Sequence, residues 1–203
     1  MRPMLAIRNF IIINIFAFLI ISCGGEETSQ GDALFELGKY EEAIQGYNEY
    51  LKLHPNHAPS YYNRGRSYEE QGQYDKSFED FQKVLELEET NFNAHLSLSN
   101  HYYRERAYAK ALIHAKKVVE LNGSVARGHL LIARCSHQLG SVNEAMKAYD
   151  QAISLDNNLG EAYLYRGALH IYFKNNSRAC ADFKNAQNLN VPEATEVLDK
   201  YCK

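Results

Sequence analysis

The chain has 203 residues, a formal net charge of −3 and an isoelectric point near 6.2. Nucleic-acid-binding proteins usually carry a basic excess, so this charge balance argues against that function. The chain contains 15 tyrosines, four prolines and no tryptophan. This composition excludes a proline-rich or disordered chain and suits a helical protein with aromatic contacts between helices.

Residues 1–22 are typical of a secretory signal peptide. Arg2 and Arg8 provide a positively charged start, and an almost entirely apolar stretch follows over residues 10–21. About twelve apolar residues are too few to span a bilayer, which needs roughly 20, but they match the apolar region of a signal. The segment that ends in Ser22 and Cys23 resembles a bacterial lipobox, in which a small residue precedes the lipidated cysteine. An uncleaved anchor and a chance cysteine are the alternatives.

The lipobox resemblance implies a location and a mode of attachment. Cys23 would carry acyl chains, each buried CH₂ group of which contributes about 0.8 kcal/mol, so the anchor would be effectively permanent. Residues 23–28 would then form the lipidated end and a short tether. Glycine rather than aspartate at position 24 favours the outer membrane of a Gram-negative envelope. Which face of the membrane the protein occupies stays open.

A period of 34 residues runs through the rest of the chain. Small side chains recurring at this period let two antiparallel helices approach closely, and aromatic rings fill the space between them. A single hairpin cannot bury both of its faces, so neighbouring hairpins must stack. The rows are Leu53, Leu87, Leu121, Leu155 and Leu189; Gly31, Gly65, Ser99, Ala133 and Gly167; Ala43, Ser77, Ala111, Ala145 and Ala179; and Tyr47, Phe81, Ala115, Tyr149 and Phe183.

The second period matches a known repeat most clearly. Its residues at the characteristic positions are Tyr61, Gly65, Tyr68, Gly72, Tyr74 and Phe81, with Ser77 where alanine is usual. This pattern resembles the tetratricopeptide repeat over about residues 24–191. The resemblance implies an all-α, right-handed α-solenoid of about five helical hairpins plus a C-terminal capping helix. The array would occupy residues 29–191, with units at about 24–57, 58–91, 92–125, 126–159 and 160–191.

The turns inside the hairpins are expected to depend on glycine. Gly38, Gly72 and Gly140 supply the backbone freedom that ends the first helix of their units. Arg106 and Lys174 replace this glycine in the third and fifth units, which leaves the geometry of those two turns open.

Residues 192–203 are expected to form the capping helix, because Pro192 suits a first helical position and the outer face is polar. Cys180 and Cys202 each lie eleven residues from a turn centred near Val191. In an antiparallel pair of helices, equal distances from the turn place two residues at the same level, and eleven residues are about three helical turns. We predict a disulfide that joins them; two buried free thiols are the alternative.

The sequence shows no pattern for catalysis or metal binding. His95 and His129 lie one period apart, but neighbouring first helices would hold them about 10 Å apart, so we interpret both as aromatic packing groups. Cys135 lies within a helix and is interpreted as an inert buried thiol. Signatures of metalloproteases, phosphate-binding loops and serine hydrolases do not occur. We therefore expect no catalytic residue, no metal and no cofactor.

The resemblance also implies that the first helix of each hairpin lines a concave groove that binds peptides. One row of this groove is apolar, and it would either offer an open binding surface or pack between neighbouring helices. The arginines of the groove would either bind an acidic segment of a partner or pair with Glu69, Glu70 and Glu161. The candidate groove residues are Tyr62, Arg66, Leu96, Asn100, Tyr103, Arg104, Arg127, Leu130, Arg134, Leu164 and Tyr172.

Together these features predict a lipid-anchored scaffold or adaptor of the bacterial envelope that binds a peptide or protein segment. A pilotin-like or secretion-assembly factor resembles the same arrangement and is the first alternative. A glycan-uptake accessory lipoprotein is a second, although such proteins carry large insertions that this chain lacks. An enzyme is not expected, and the oligomeric state stays open.

Overall fold

The computed structural model describes residues 30–202. Within these residues it contains eleven α-helices and no β-strand. The predicted signal peptide, the lipidated Cys23 and the tether of residues 23–28 lie outside the described residues.

The first ten helices pair as five consecutive hairpins, and the eleventh packs against the tenth. This arrangement confirms the predicted all-α array with a C-terminal helix. The helices are α1 (Gln30–Glu36), α2 (Tyr40–Leu53), α3 (Ala58–Glu70), α4 (Tyr74–Leu87), α5 (Phe92–Arg104), α6 (Tyr108–Leu121), α7 (Ala126–Gln138), α8 (Val142–Leu155), α9 (Gly160–Tyr172), α10 (Asn176–Asn188) and α11 (Ala194–Tyr201).

The small and aromatic rows form the core of the hairpins. In the row that begins with Ala43 and in the row that begins with Tyr47, every residue is at most 1% exposed. The close approach of the helices depends on glycine, since a Cβ atom at Gly65 would lie 2.8 Å from Cε1 of Phe81, and one at Gly167 would lie 2.6 Å from Cε1 of Phe183. Each buried phenylalanine contributes roughly 1.5–3 kcal/mol through the apolar surface that it removes from water.

All five hairpin turns adopt the same left-handed backbone conformation. Gly72 has a φ angle of 70°, and Arg106 and Lys174 have φ angles of 57° and 58°. The same hydrogen bonds close both kinds of turn: the amide of Gly72 donates to the carbonyl of Glu69, and the amide of Arg106 donates to that of Tyr103. The hairpin therefore imposes this geometry even where a side chain makes it unfavourable.

The C-terminal helix begins at Ala194, two residues later than the expected start at Pro192. Asn190, two residues after the end of α10, has a left-handed conformation with a φ of 58°. The amide of Ala194 then donates to the carbonyl of Val191, which makes the intervening residues a turn. Pro192 therefore belongs to the connection rather than to the helix.

The C-terminal helix is fixed to the fifth hairpin by apolar packing and by a disulfide. Val197 and Leu198 pack against the core cluster that contains Phe183. The sulfur atoms of Cys180 and Cys202 are bonded, and the two Cα atoms lie 5.6 Å apart. The outer end of the array is thereby covered and covalently tied.

Two hairpins contain a buried ion pair between their helices. The guanidinium of Arg64 donates to both carboxylate oxygens of Asp80, at 2.8 and 2.6 Å. Three periods later, Arg166 donates to both oxygens of Asp182, at 2.9 and 2.7 Å. The third and fourth hairpins replace these pairs by Leu98 and His114, and by Ile132 and Ala148.

Candidate functional site

Two adjoining cavities lie along the first helices of the second to fifth hairpins. The larger has a volume of about 400 Å³ and lies between α5, α7 and the start of α9. The smaller, of about 360 Å³, lies between α3, α5 and α7. Asn100 and Arg134 line both cavities, so the two form one continuous groove. We call this surface the groove throughout.

Arg104 joins the third hairpin to the second. Its guanidinium carbon lies 4.1 Å from the centre of the Tyr74 ring, and its Nη2 atom lies 3.3 Å from a carboxylate oxygen of Glu69. Burial raises the pKa of Glu69, and the charges of Arg104 and Arg66 act in the opposite direction. The arginine therefore offsets the cost of a half-buried carboxylate in the groove.

Arg134 joins three hairpins. Its guanidinium carbon lies 4.4 Å from the ring centre of Tyr103 in the third hairpin and 5.7 Å from that of Tyr165 in the fifth. Its Nη1 atom lies 3.2 Å from a carboxylate oxygen of Glu161. These contacts on several sides hold the guanidinium in place, because stacking on a ring and an ion pair each restrict its orientation.

Most arginines of the groove pair with glutamates of the chain itself, rather than being left free to bind an acidic segment of a partner. Arg66 lies 3.6 Å from Glu69 and 3.9 Å from Glu70 on its own helix, and Arg104 and Arg134 are paired as described. Each such exposed pair contributes only about 0–1 kcal/mol. The groove therefore does not present four free positive charges to a partner.

Arg127 and Asn100 are among the polar groups of the larger cavity that residues 30–202 leave available. Among residues 30–202, no carboxylate lies within ion-pair distance of Arg127, and the side chain of Asn100 makes no hydrogen bond. Both line the larger cavity. Its apolar walls are Leu130, Leu131 and Leu159. A free cation and a free amide thus flank an apolar surface.

Of the two alternatives for the apolar row, the structure shows packing between helices rather than an open surface. Leu130 and Leu164 are each only 8% exposed and belong to core clusters. Leu96 packs against the cluster of Leu130, and the ring of Tyr62 lies 5.6 Å from that of Phe81. The row packs between helices because neighbouring hairpins must cover each other's apolar faces.

Tyr172 lies away from both cavities. It is 68% exposed and meets the ring of Phe173 edge-on at 5.2 Å. Tyr172 therefore lines neither cavity, and the same holds for Tyr62, Arg66, Leu96 and Leu164.

The sequence analysis included Tyr103 among the groove residues but missed the two other tyrosines that position the arginines, Tyr74 and Tyr165. Tyr165 belongs to a row whose other members are Asn63, Ser97 and Leu131, so no periodic signal marks it. Tyr74 is recognisable from the sequence only as a repeat residue. Both act through contacts between hairpins.

Three further properties of residues 30–202 concern metal ligands, the free cysteine and membrane spans. No group of three or more histidine, cysteine, aspartate or glutamate side chains between residues 30 and 202 could hold a metal ion. Cys135 is buried, and burial raises the pKa of its thiol to about 11, so it stays protonated at neutral pH. None of the helices in the same range is both long and apolar enough to cross a bilayer.

Family models match three segments of the chain. A TPR repeat model matches residues 31–72, and two tetratricopeptide repeat models match residues 58–91 and 126–159. A sequence search of curated proteins finds no match.

Solved structures share the fold. A MamA structure aligns with a TM-score of 0.71 and 23% identity, over 86% of this chain and 99% of that one. YrrB, described as a TPR protein with an unusual peptide-binding site, aligns with a TM-score of 0.69 and 20% identity, over 84% and 88%. The Pseudomonas aeruginosa pilF protein aligns at 0.70 with 15% identity, over 78% and 72%. At these identities the likeness concerns the fold alone.

Proposed function

This chain belongs to the tetratricopeptide-repeat family, and from that premise we propose that it is a membrane-anchored scaffold of the bacterial envelope. It binds an extended segment of a peptide or protein in the groove, and it catalyses no reaction. The observation that carries this proposal is the larger cavity, where Arg127 and Asn100 have no partner within residues 30–202 and face an apolar wall.

The free groups define the chemistry of the bound segment. Arg127 pairs with one aspartate or glutamate side chain, and the amide of Asn100 exchanges hydrogen bonds with the peptide backbone. Leu159, which is partly buried at the cavity wall, contacts an aliphatic side chain. Because Arg66, Arg104 and Arg134 are already paired, the segment needs one acidic residue at this point rather than a long acidic tract.

Support for the membrane anchor comes from the sequence. The positively charged start, the apolar residues 10–21 and Ser22 before Cys23 occur in the order that lipidation requires. The proposed place is the outer membrane of a Gram-negative envelope. Replacement of Cys23 by serine is expected to move the chain from the membrane fraction to the soluble fraction and to abolish the incorporation of labelled palmitate. An unchanged membrane fraction for this variant would rule out the lipid anchor.

The groove is tested by cross-linking in intact membranes followed by mass spectrometry. In the variant Arg127→Glu a partner carboxylate meets a like charge, so recovery of cross-linked partners is expected to fall by about tenfold, as for the loss of 1–2 kcal/mol at an interface. Arg127 is exposed and unpaired within the described residues, so the fold does not depend on it.

The matched control is Lys147→Glu. Lys147 is an exposed residue of α8, outside both cavities and without an ion pair within residues 30–202. It undergoes the same change of charge, and partner recovery is expected to equal that of the wild type. Equal recovery by wild type, Arg127→Glu and Lys147→Glu would show that the groove does not bind the partner.

A further inference from the structure

A cluster of aromatic rings and histidines lies where the second hairpin meets the third. We call it the histidine cluster; its members are Phe78, His95, His101, Tyr102 and His114. Phe78 comes from α4 and stacks on His101 of α5, with ring centres 4.4 Å apart. Phe78 also meets Tyr102 edge-on at 5.6 Å, and Tyr102 stacks on His114 of α6 at 5.4 Å. The imidazole of His101 therefore lies in the contact between the two hairpins, while His95 and His114 contact each other within the third hairpin.

His95 and His114 share one hydrogen bond that fixes their neutral forms. Nε2 of His95 lies 3.1 Å from the backbone carbonyl of Glu89, and a carbonyl only accepts, so Nε2 carries a hydrogen. Nδ1 of neutral His95 is then bare and accepts from Nδ1 of His114, 2.9 Å away. Two imidazolium rings would place two N–H groups against each other at this contact. The pair can therefore hold at most one additional proton without separating.

His101 has no acceptor for a second N–H group. It is 7% exposed, and its Nδ1 atom is buried without a hydrogen-bond partner in the described structure. An imidazolium carries a hydrogen on both nitrogens, so protonation would leave a charged donor unpaired between rings. Arg104, on the same helix, opposes this charge, whereas Glu105 and Asp75 favour it more weakly.

The other charged groups around the cluster do not reverse the preference of its histidines for the neutral form. Lys117 of α6 opposes a charge on His95, and Glu89 and Glu120 favour one. On His114 the electrostatic effect comes from His95, and it opposes charge. Lys110 lies 5.5 Å from the ring centre of Tyr102 and adds another positive charge beside the cluster. Burial is the largest influence on all three histidines.

We propose that the contact between the second and third hairpins is an acid-sensitive interface, which opens when the histidine cluster takes up protons. Opening would also separate the two sides of the groove. Glu69 and Arg104 form their 3.3 Å ion pair across the same boundary, and the 360 Å³ cavity is lined from both hairpins.

The direction of the pH dependence follows from the pKa values. Burial lowers the pKa of His95 and His101 below their usual 6.5 and, with His95 adding repulsion, lowers the pKa of His114 to about 4. The open state binds protons more readily than the closed one. The closed interface is therefore fully favoured above about pH 6.5 and loses stability as the pH falls towards 4.

The next boundary in the array is the natural comparison, because it lacks these groups. Cys135, Ser136 and Ala148 stand at the positions equivalent to His101, Tyr102 and His114. The remaining equivalent, His129, contacts the backbone carbonyl of Gly123 at 3.1 Å rather than a second histidine. Acid sensitivity is thus expected at one boundary and not at its neighbour.

The absence of tryptophan from the chain provides a silent background for fluorescence. Phe78→Trp places one indole at the histidine cluster of the full-length chain. Leu112→Trp places one at the equivalent position, one period later, at the next boundary. Emission wavelength is followed from pH 7.5 to 4, values chosen to bracket the usual and lowered histidine pKa values. Far-ultraviolet circular dichroism reports helix content in the same samples.

The histidines are removed with residues that other hairpins already use at the same positions. His101→Leu copies Leu169, His114→Ala copies Ala148, and His95→Tyr copies Tyr163. The triple variant and His101→Leu alone are each combined with Phe78→Trp. If the triple variant does not keep wild-type helix content at neutral pH, the single variant decides the test.

The expected result is a red shift of the Phe78→Trp reporter on acidification that precedes any loss of helix content and is missing from the Leu112→Trp reporter. Removal of the histidines is expected to lower the midpoint of this shift by about 1 pH unit or more. The proposal is overturned if both reporters change together with helix content. It is also overturned if the midpoint is unchanged in the deciding histidine variant.

Discussion

The ion pair between Arg64 and Asp80 should tolerate replacement of both residues by apolar ones, but not the removal of one residue alone. The side chains of Arg64 and Asp80 are 19% and 6% exposed, so removal of the arginine leaves a carboxylate unpaired in the core. The fourth hairpin already contains Ile132 and Ala148 at the equivalent positions. The perturbation is therefore a cycle of three variants, Arg64→Ile, Asp80→Ala and the double variant.

The structure gives the sizes of the effects. Arg64→Ile leaves Asp80 without its counter-charge and is expected to lower the free energy of unfolding by about 3–5 kcal/mol. Asp80 raises the pKa of Arg64 despite the opposing effect of burial, whereas burial raises the pKa of Asp80 although Arg64 acts in the opposite direction. Because the folded chain then holds the proton of Asp80 more tightly than the unfolded chain, this carboxyl group contributes less stability at neutral pH than at acid pH. The double variant is expected to lie within about 1 kcal/mol of the wild type.

Urea denaturation followed by far-ultraviolet circular dichroism measures all four proteins. We expect Asp80→Ala to restore most of the stability that Arg64→Ile removes, a coupling of at least about 2 kcal/mol. A double variant whose loss equals the sum of the two single losses would refute it, because the uncompensated charge would then not be the cause.

Three further changes test other parts of the architecture. Lys174→Gly removes a side chain from a left-handed residue with a φ of 58° and is expected to raise the free energy of unfolding by about 0.5–1 kcal/mol; a lower urea midpoint would contradict this. Reduction of the bond between Cys180 and Cys202, which are 22 residues apart, is expected to cost about 3 kcal/mol, seen as a lower urea midpoint with dithiothreitol than without it. Gly167→Ala would bring a Cβ atom to 2.6 Å from the ring of Phe183 and is expected to cost about 1–3 kcal/mol; wild-type stability would show that the helices can separate freely.

The period of the sequence was sufficient to predict the stack, but not the burial of every row. The small and aromatic rows are buried throughout, as close helix packing requires. The leucine row is different, since Leu53 is 80% exposed and Leu155 is 42% exposed. Leu53 and Leu155 end their helices, as do the partly buried Leu87 and Leu121, so equivalent positions differ in how far the next hairpin covers them. A period therefore predicts which positions are equivalent, while burial depends on how far the neighbour extends.

The buried ion pairs could have been found with the reasoning applied to the cysteines. Arg64 and Asp80 each lie eight residues from Gly72, and Arg166 and Asp182 each lie eight residues from Lys174. Equal distances from a turn place residues at the same level in an antiparallel pair. Opposite charges at such positions are a signal within one hairpin, readable without a structure.

Contacts between hairpins gave no comparable signal. Arg134 meets Tyr103 in one neighbour and Tyr165 in the other, and these contacts depend on the angle and offset between successive hairpins. The repeat pattern identifies the helix face of each residue but not its partner across a boundary. For this reason the sequence placed the arginines in the groove and left their pairing open.

The residues that stabilise individual hairpins from within differ from those that shape the groove. The second and fifth hairpins are each fixed internally by a bidentate ion pair, and the fifth is also tied to the C-terminal helix by a disulfide. The groove, in contrast, depends on contacts between hairpins, made by Arg104 and Arg134. Changes at the ion pairs inside the second and fifth hairpins should therefore alter stability with little effect on partner binding. Changes at the boundaries of the third hairpin should alter binding before helix content, because they shift the cavity walls relative to one another.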